Sequence, residues 1–430
     1  MKLRTSRQQR GSALITTLVM GTIMGSALLA YLTLVDNQDR GIRRSEAWNS
    51  AIAVAEAGIE EALAHTWYNQ YALGTNNWNL TNNAYTKSRA LDSTSYFLAA
   101  ISNVQPPVIY SQGFVRIPRS PAYLPPRTVR VVVGPNTLFK KGMVAKGAID
   151  LSGNNIKTDS FDSGDPAFST GGKYDPAKTK DNGDVATDSA MVDSLNVWNA
   201  NIYGHVATGP GGSVLVGPNG AVGSKAWQTA GNKGIQDGWF ADDMNVTFFD
   251  IPVPYTTGLN PGGGTVAGTN YQYVLATGNY IMDDLDLKGT KAMCVSGNAV
   301  LYVQADFSIS GNAFVYIAPG ATLTLYVGGA TKIAGNGVAN AGTCATNFAY
   351  YGLPSNTSID LSGNAAFTGM IYAPNAALSM GGGGNSDYDF VGASVTGSVK
   401  LNGHYNFHYD EAVGRNGPAK GCIVTSWREL

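Results

Sequence analysis

Residues 12–35 read SALITTLVMGTIMGSALLAYLTLV, a run without a charged side chain. As a helix this run would be about 36 Å long, at about 1.5 Å per residue. It is therefore long enough to cross the hydrocarbon core of a bilayer, which is about 30 Å thick. The alternative is a buried helix in the core of a soluble domain, but such helices seldom stay uncharged over this length. We predict a transmembrane helix over residues 12–35.

The residues before the run define its orientation. They include Lys2, Arg4, Arg7 and Arg10 and no acidic residue, and basic residues stay on the cytoplasmic side of a membrane. We therefore expect a single-pass protein with a cytoplasmic N-terminus and the rest of the chain outside. An ordinary secretory signal is cleaved after its apolar region. Here the candidate cleavage site, Gly11–Ser12, comes before it, so processing would keep the helix.

This arrangement resembles the N-terminus of type IV pilins and pseudopilins, and that of PilX-type minor pilins in particular. The resemblance is carried by QRGSALITTLV at residues 9–19 and by AEAGIE at residues 55–60. It implies that residues 1–11 are a leader that a prepilin peptidase removes, in the inner membrane, by cutting between Gly11 and Ser12. Thr16 stands at the fifth mature position, where major pilins carry Glu. That departure favours a minor or tip component over a bulk filament subunit.

A heptad-like stripe predicts that the helix continues beyond the membrane through residues 36–67. The stripe consists of Trp48, Ile52, Ala55, Ile59 and Ala62. Two interpretations stay open: packing against the helices of other pilin-like subunits, or packing within the chain alone. Gly21 and Gly25 form a GxxxG spacing, which allows helices to approach closely in a membrane. These residues are our candidates for helix packing.

The composition beyond the helix indicates a mostly β protein. Charged residues are 14% of the chain, below the roughly 25% of a typical soluble domain. Short runs of aliphatic residues and Tyr alternate with turn residues, including many of the 53 glycines, a pattern typical of short strands. We expect a loop and a small pilin-like antiparallel sheet over residues 68–134 and a turn-rich β region over residues 135–293. The net charge of −1 and the lack of a basic patch beyond the leader argue against nucleic acid as a partner.

A short phrase that recurs in the outer part of the chain predicts its architecture. The phrase is an aliphatic residue, a small residue, Gly and Asn, with copies LSGNN 151–155, VSGNA 295–299, ISGNA 309–313, IAGNG 333–337, LSGNA 361–365 and the degraded LNGHY 401–405. A Gly-Asn pair accepts the positive φ that a sharp corner needs. Recurring corners between short strands predict a right-handed β-solenoid over residues 294–411, followed by a C-terminal tail at 412–430. A β-sandwich is the alternative.

A second resemblance lies in the same region. The phrases GMIYAPNA at residues 369–376 and HYDE at residues 408–411 resemble a C-terminal domain found behind PilX-type N-termini in bacterial envelope proteins. That resemblance implies architecture and no activity.

Motifs for catalysis are missing from the sequence: there is no phosphate-binding Gly-rich loop, GxSxG, HExxH or CxxC. We predict that the protein is not an enzyme and has no cofactor or metal. Two groups of residues are alternatives to this prediction. His404, His408 and Asp410 could hold a metal ion or simply close the last coil. Asp159, Asp162 and Asp165 could bind calcium or bond to their own turns.

One compact set could serve a polysaccharide lyase or hydrolase built on a β-helix, because such enzymes need carboxylates on a cleft face. It consists of Asp283, Asp284, Asp286 and Lys288. Tyr271, Tyr273, Tyr350 and Tyr351 could stack on sugar rings or pack laterally along a solenoid. The alternative function is therefore a membrane-tethered β-helix protein that binds or cleaves polysaccharide.

The three cysteines are Cys294, Cys344 and Cys422. An exported chain can form disulfides, and we predict a bridge between Cys294 and Cys344, which flank the repeats. Three unpaired thiols are the alternative.

Together these features predict a mostly β protein with one long N-terminal helix, a pilin-like stem that carries a solenoid head. The predicted function is that of a non-enzymatic minor pilin or pseudopilin in a type IV pilus or a type II secretion-like assembly. Its expected partners are the inner membrane, the prepilin peptidase and other pilin-like subunits. The head would lie in the periplasm or on the cell surface, where contact with a surface glycan or a host cell is left open.

Overall fold

The structure, a computed structural model, describes residues 10–68, 73–104, 106–153, 155–342, 344–362, 367–382, 388–403 and 405–430. Most of the predicted leader, His404 of the alternative metal site and several Gly-Asn corners lie outside the described residues. The chain forms two compact units, residues 1–136 with 419–430 (unit 1) and residues 137–418 (unit 2). The prediction of one long N-terminal helix followed by a β-rich region is confirmed.

Unit 1 begins with the helix and continues with five strands. Their bounds are α1 (Arg10–Tyr68), β1 (Asn79–Thr81), β2 (Ala84–Ala90), β3 (Ser95–Ser102), β4 (Val108–Val115) and β5 (Arg127–Thr137). The helix is continuous because its range contains no Pro. We predicted a helix up to residue 67, and it ends at Tyr68.

The sheet of unit 1 is antiparallel from β1 through β5. One face of β5 presents Val129, Val131 and Val133, which are buried in a core shared with residues of the C-terminal half of α1. The small antiparallel sheet packed on the helix is therefore as predicted. The expectation of a loop from residue 68 is wrong over β1 and β2, which belong to the sheet, and Trp78 just before them is buried.

Unit 2 starts with short strands, one 3₁₀ turn and one short helix. Their bounds are β6 (Met143–Ala145), β7 (Ile149–Asp150), β8 (Lys157–Phe161), a 3₁₀ turn (Pro176–Lys178), β9 (Val185–Thr187), β10 (Leu195–Trp198), β11 (Asn201–Ile202), β12 (Val206–Ala207), β13 (Val214–Val216), β14 (Ala221–Val222), α2 (Lys225–Thr229), β15 (Gly234–Ile235) and β16 (Phe240–Ala241).

The second half of unit 2 has longer strands, and one strand follows the unit in the chain. Their bounds are β17 (Gly262–Val266), β18 (Thr269–Leu275), β19 (Gly278–Met282), β20 (Leu285–Leu287), β21 (Ala292–Val295), β22 (Asn298–Val303), β23 (Phe307–Ile309), β24 (Phe314–Ile317), β25 (Thr322–Val327), β26 (Thr331–Ile333), β27 (Val338–Asn340), a 3₁₀ turn (Ala345–Asn347), β28 (Phe348–Gly352), β29 (Ser358–Ser362), β30 (Phe367–Gly382), β31 (Tyr388–Gly403), β32 (Tyr405–Asp410), α3 (Glu411–Asn416) and β33 (Ala419–Glu429).

The strands of unit 2 stack as successive coils. Strands β18, β19 and β20 pair in parallel with β21, β22 and β23 of the next coil, and the same step repeats into the following two coils. A single coil cannot bury its inward side chains, so each stabilises its neighbours. Parallel pairing from coil to coil is the arrangement that a β-solenoid requires, and the right-handed solenoid itself stays a prediction. A β-sandwich does not fit, because such sandwiches are antiparallel.

The order of coils in space differs from their order in the sequence. The late strands β31 and β32 pair in parallel with the early strands β6, β7 and β8. The early coils therefore stack on the far end of the late ones. The residues on both sides of the predicted boundary at 293/294 belong to the same compact unit. The predicted C-terminal tail is also wrong, because that segment contains most of α3 and all of β33.

Glycines at corners of successive coils stack on one another. Gly289, Gly311 and Gly335 all have positive φ, between 67° and 70°. A Cβ on Gly335 would lie 1.9 Å from the carbonyl oxygen of Gly311. The positive φ predicted for the Gly-Asn phrase is thus found at Gly311 and Gly335. It is not found at Gly297, where the constraint is close approach, since a Cβ would lie 2.6 Å from the Thr277 nitrogen.

Candidate functional site

The first half of α1 is an apolar surface that the rest of the chain leaves uncovered. Its large apolar side chains from Leu14 to Val35 are between 41% and 72% exposed. The helix is long and apolar enough to cross a membrane. Exposing such a surface to water would be costly, since burial of apolar area contributes about 25 cal/mol per Å². The segment is therefore suited to an apolar environment, as the sequence predicted.

The second half of α1 packs on the sheet of unit 1 through small residues. Ala47, Ala51, Ala55 and Ala62 are buried along one face, and Gly58 lies on the same face. A Cβ on Gly58 would lie 2.2 Å from Ser111 Oγ and 2.9 Å from ring atoms of Phe97. The AEAG segment thus supplies the small residues that a close helix–sheet approach needs.

The sheet contributes a matching glycine to this contact. A Cβ on Gly113 of β4 would lie 2.0 Å from the carbonyl oxygen of Ala51 and 2.6 Å from the nitrogen of Ala55. Backbone therefore meets backbone where α1 crosses β4. Sequence reasoning missed Gly113, since a lone Gly within a strand carries little signal beyond the expectation of a close backbone approach.

The predicted helix-packing stripe divides into two parts. Ala55 and Ile59 are buried in the core of unit 1, so they serve packing within the chain, and the inter-subunit interpretation is wrong for them. Ile52 is partly buried against the same core. Trp48 is 43% exposed, and the Arg127 guanidinium carbon lies 5.3 Å from its ring centroid. Of the stripe, Trp48 keeps the most surface for a partner.

The predicted residues nearer the N-terminus lie on the uncovered half. Gly11 and Ser12 are inside the helical backbone, which begins at Arg10. At Gly21 and Gly25 an added Cβ would meet nothing within 4 Å. Their smaller surface is therefore available to another helix, and the close-packing role of this GxxxG pair stays a prediction.

Charged pairs mark the end of the apolar run. Asp36 and Arg40 form an ion pair at 2.8 Å, and Asp39 pairs with Arg43. Both pairs join residues four apart on the helix, where opposite charges stabilise the helix by roughly 0.2–0.5 kcal/mol. The transition from apolar to charged surface at Asp36 agrees with the predicted membrane boundary.

Unit 2 contains a buried polar cluster where its early and late coils pair. Asp159 on β8 and His408 on β32 are almost fully buried, and Asp159 Oδ1 lies 2.5 Å from His408 Nδ1. Lys157 Nζ lies 2.7 Å from Asp159 Oδ2, and the Tyr174 hydroxyl donates to the same oxygen at 3.0 Å. The Asp159 carboxylate and the His408 imidazole are shielded from solvent, while 31% of the Lys157 side chain stays exposed, so the cluster supports the joint rather than a reaction.

The electrostatics of this cluster favour an ionised Asp159. Burial acts most strongly on the carboxyl group and alone would raise its pKa. The hydrogen bond and charge of His408, with the attraction of Lys157, outweigh burial and hold the pKa of Asp159 below its usual value. A lowered pKa in the folded state stabilises the fold above the unfolded-state pKa of about 3.9, and this stabilisation is lost as pH falls through the folded-state pKa.

We predict that Asp159→Asn lowers the free energy of unfolding of unit 2 by about 3 kcal/mol at pH 7, because the variant leaves the buried His408 and the partly exposed Lys157 without their counter-charge. The loss of stability between pH 5 and pH 2 should also become shallower than in the wild type. Urea denaturation with pulsed hydrogen exchange, which reports each unit separately, measures both effects. Asp243→Asn, at an exposed position of unit 2, is the control. A D159N protein as stable as this control at pH 7 would contradict the assignment.

The residues considered for calcium or another metal have other partners. Asp162 accepts two hydrogen bonds from Arg415 at 2.6 and 2.7 Å, and Asp165 accepts one from the Ala167 nitrogen at 2.9 Å. Asp410 Oδ1 caps α3 through the Ala412 nitrogen. Within the described ranges, no group of three or more His, Cys, Asp or Glu could hold a metal ion. These contacts favour the structural interpretation of the three aspartates.

The residues considered for polysaccharide cleavage are exposed to solvent and lie on β20 or next to it in sequence. Asp286 pairs with Lys288 at 2.5 Å, and both side chains are exposed. Asp284 Oδ1 accepts a hydrogen bond from the Asp306 nitrogen at 3.1 Å. Asp283 and Asp284 are exposed, so the carboxylates line an open strand edge rather than a cleft.

The tyrosines considered for sugar binding include two on β28. Tyr350 is buried, and Tyr351 stacks on Tyr326 of the neighbouring coil with ring centroids 5.1 Å apart. Lateral packing along the stack therefore accounts for these two rings.

The predicted disulfide is not formed, and Cys294, Cys344 and Cys422 are free. Cys294 is buried within β21, where burial raises the pKa of its thiol. The Cys344 sulfur lies 2.9 Å from Thr346 Oγ1. The pairing with Cys344 was wrong because β21 pairs with β24 and β24 with β27, the strand before Cys344. Two strand spacings, about 10 Å, separate those coils, which is more than a disulfide spans.

Comparison with known proteins gives one sequence match. Residues 258–416 match a family described as a domain of unknown function, DUF7305, and this range includes the two C-terminal phrases noted above. No curated protein matches the chain. Among solved structures, the competence-associated pilin ComZ from Thermus thermophilus is similar at 12% identity and a TM-score of 0.24, covering 88% of this chain and 96% of that chain. The sequence match assigns no activity.

Proposed function

We propose that this protein is a membrane-anchored, non-enzymatic minor pilin or pseudopilin, a PilX-like subunit of a type IV pilus or type II secretion-like assembly. The observation that carries the proposal is the division of α1 into two halves. Residues 13–35 are apolar and uncovered, while the following half is fixed to a small sheet through Ala51, Ala55 and Gly58. Such a helix can be held by the bilayer and then pack against related helices without unfolding unit 1.

In this proposal the prepilin peptidase cuts between Gly11 and Ser12 and leaves α1 as the stem. The protein then resides in the inner membrane with its N-terminus in the cytoplasm and both units outside. Other pilin-like subunits contact the uncovered half of α1, and Trp48 is the stripe residue best placed to join them. Unit 2 is the head that the assembly presents. Asp159, Asp162 and Asp286 all have cationic partners, which supports a structural rather than a catalytic role for these carboxylates.

We predict that Gly11→Ala blocks processing, because the peptidase of such precursors requires Gly before the cut. Mass spectrometry of the purified protein should find a wild-type N-terminus at Ser12 and a retained leader in the variant. Co-purification with pilus or secretion subunits should be lost in G11A. Gly41→Ala is the matched control, since its new methyl group meets nothing within 4 Å and it lies beyond both the cut and the apolar run.

Two results would overturn the proposal. One is a native N-terminus well downstream of residue 35, which would show that the helix is removed like an ordinary signal. The other is a wild-type protein that keeps its leader in cells with an active prepilin peptidase.

A further inference from the structure

A row of outward polar side chains runs along one face of the coil stack in unit 2. Each member lies between two buried residues in the chain, as Asp286 does between Leu285 and Leu287. The parallel register places the members side by side in the order Asp286, Ser308, Lys332, Asp360, Ser379, Lys400, Asp150 and Asn196. We call this set the polar row.

The first six members of the polar row form a self-complementary sequence of side chains. In spatial order they are acid, hydroxyl, base, acid, hydroxyl, base. Reversing that order places every acid opposite a base and every hydroxyl opposite a hydroxyl. A second copy turned by 180° about an axis between Lys332 and Asp360 would therefore set Asp286 against Lys400, Ser308 against Ser379, and Lys332 against Asp360.

Most of these charges are not used within the chain. Lys332 and Asp360 are neighbours in the ladder, but neither they nor Lys400 form an ion pair among the residues that the structure describes. Lys332 and Lys400 are exposed. Asp286 pairs with Lys288, with 45% of the Asp286 side chain still exposed. Pairing along the ladder thus does not account for the alternation of charge.

We propose that the polar row is a self-recognition surface, on which a second copy of this chain docks antiparallel to the first. The contact is isologous, so it closes as a dimer. Each exposed pair raises the association constant roughly 1.5- to 5-fold, so four pairs give a weak contact that salt screens. Tethering of copies to one assembly raises their effective concentration and strengthens such a contact. The inference holds independently of how the stem is processed.

The register of the contact is tested by cross-linking the full chain in detergent. Chains carrying Ser308→Cys are mixed with differently tagged chains carrying Ser379→Cys and oxidised. We expect disulfide-linked heterodimers at least fivefold above the background of the native cysteines. S308C chains alone should stay near background, because their cysteines would be offset by three strands, or about 14 Å.

Charge variants test whether complementarity causes the docking. Lys332→Asp in both cysteine chains turns two attractive contacts into like-charge contacts, so cross-linking should fall about tenfold. Asp360→Lys in both chains should do the same. Mixing a K332D chain with a D360K chain restores all four opposite-charge contacts, and cross-linking should return. This rescue requires residue 332 of one copy to face residue 360 of the other, because each variant chain meets like charges when it docks on an identical chain.

Asp150→Lys is the matched control, since Asp150 lies beyond the self-complementary six and would face no partner. Cross-linking unchanged by D150K, reduced by each single variant and rescued by their mixture supports the proposal. The proposal is overturned if S308C chains cross-link to each other as efficiently as to S379C chains. It is also overturned if cross-linking does not recover when K332D and D360K chains are mixed.

Discussion

Replacing Gly113 by Ala should destabilise unit 1 by about 3 kcal/mol or more, one of the two largest effects that we expect from a single methyl group in this chain. The new Cβ would lie 2.0 Å from the Ala51 carbonyl oxygen and 2.6 Å from the Ala55 nitrogen. Both atoms belong to the backbone of α1, so no side chain can rotate away. Extra volume in a packed site costs typically 1–3 kcal/mol, and here helix and sheet must separate to make room.

Pulsed hydrogen exchange during urea denaturation measures this effect in the amides of β3 and β4. Gly41→Ala is the matched control in the same unit. Gly41 is exposed and lies far from both ends of α1, and an added Cβ there meets nothing within 4 Å. Ala at this position should therefore stabilise the helix by about 0.5–1 kcal/mol. Similar stability of G113A and the wild type would show that the helix does not approach the sheet this closely.

The second large effect is expected for Gly335→Ala in unit 2. Gly335 has φ +69°, and its new Cβ would lie 1.9 Å from the Gly311 carbonyl oxygen. Left-handed backbone costs a non-Gly residue roughly 1–2 kcal/mol, and the clash adds typically 1–3 kcal/mol. Adjacent coils must move apart at this corner, so we expect a loss of about 3 kcal/mol and faster exchange in β23 and β26.

Gly320→Ala separates the two causes. Gly320 has φ +79° but no atom within 4 Å of an added Cβ, so this variant carries the backbone cost without the clash. We expect a loss of about 1–2 kcal/mol. Equal effects at Gly320 and Gly335 would mean that stacking of glycines contributes nothing to the joint between coils.

The stem and the general class of the head followed from the sequence because each has a strong local signal. A long uncharged run and a stripe of small residues define α1, and alternation defined the buried face of β5 at Val129, Val131 and Val133. The repeated Gly-Asn phrase marked corners such as Gly311 and Gly335. These signals come from neighbours in the chain, which is why periodicity detects them.

The features that the sequence did not predict depend on contacts between distant residues. Asp159 and His408 form a pair because β8 lies beside β32. No local sequence pattern predicts that the early coils stack on the late ones. The same holds for Gly113, whose constraint comes from Ala51. The polar row could have been detected in the sequence, however. Several copies of the Gly-Asn phrase begin with an aliphatic residue that follows an aliphatic–polar pair, as at Asp150, Asp360 and Lys400.

The insertion of unit 2 between β5 and β33 has a consequence for biogenesis. Strand β33 lies next to β5 in the six-stranded sheet, and Arg127 donates hydrogen bonds to Glu429 at 2.6 and 2.7 Å. In the proposed export from the N-terminus, the sheet of unit 1 cannot take up its last strand until residues 137–418 have crossed the membrane. The Leu138 nitrogen donates a hydrogen bond to the Pro418 oxygen at 2.9 Å, so the two ends of unit 2 lie side by side. A domain of different size whose ends are equally close could therefore replace unit 2 between β5 and β33.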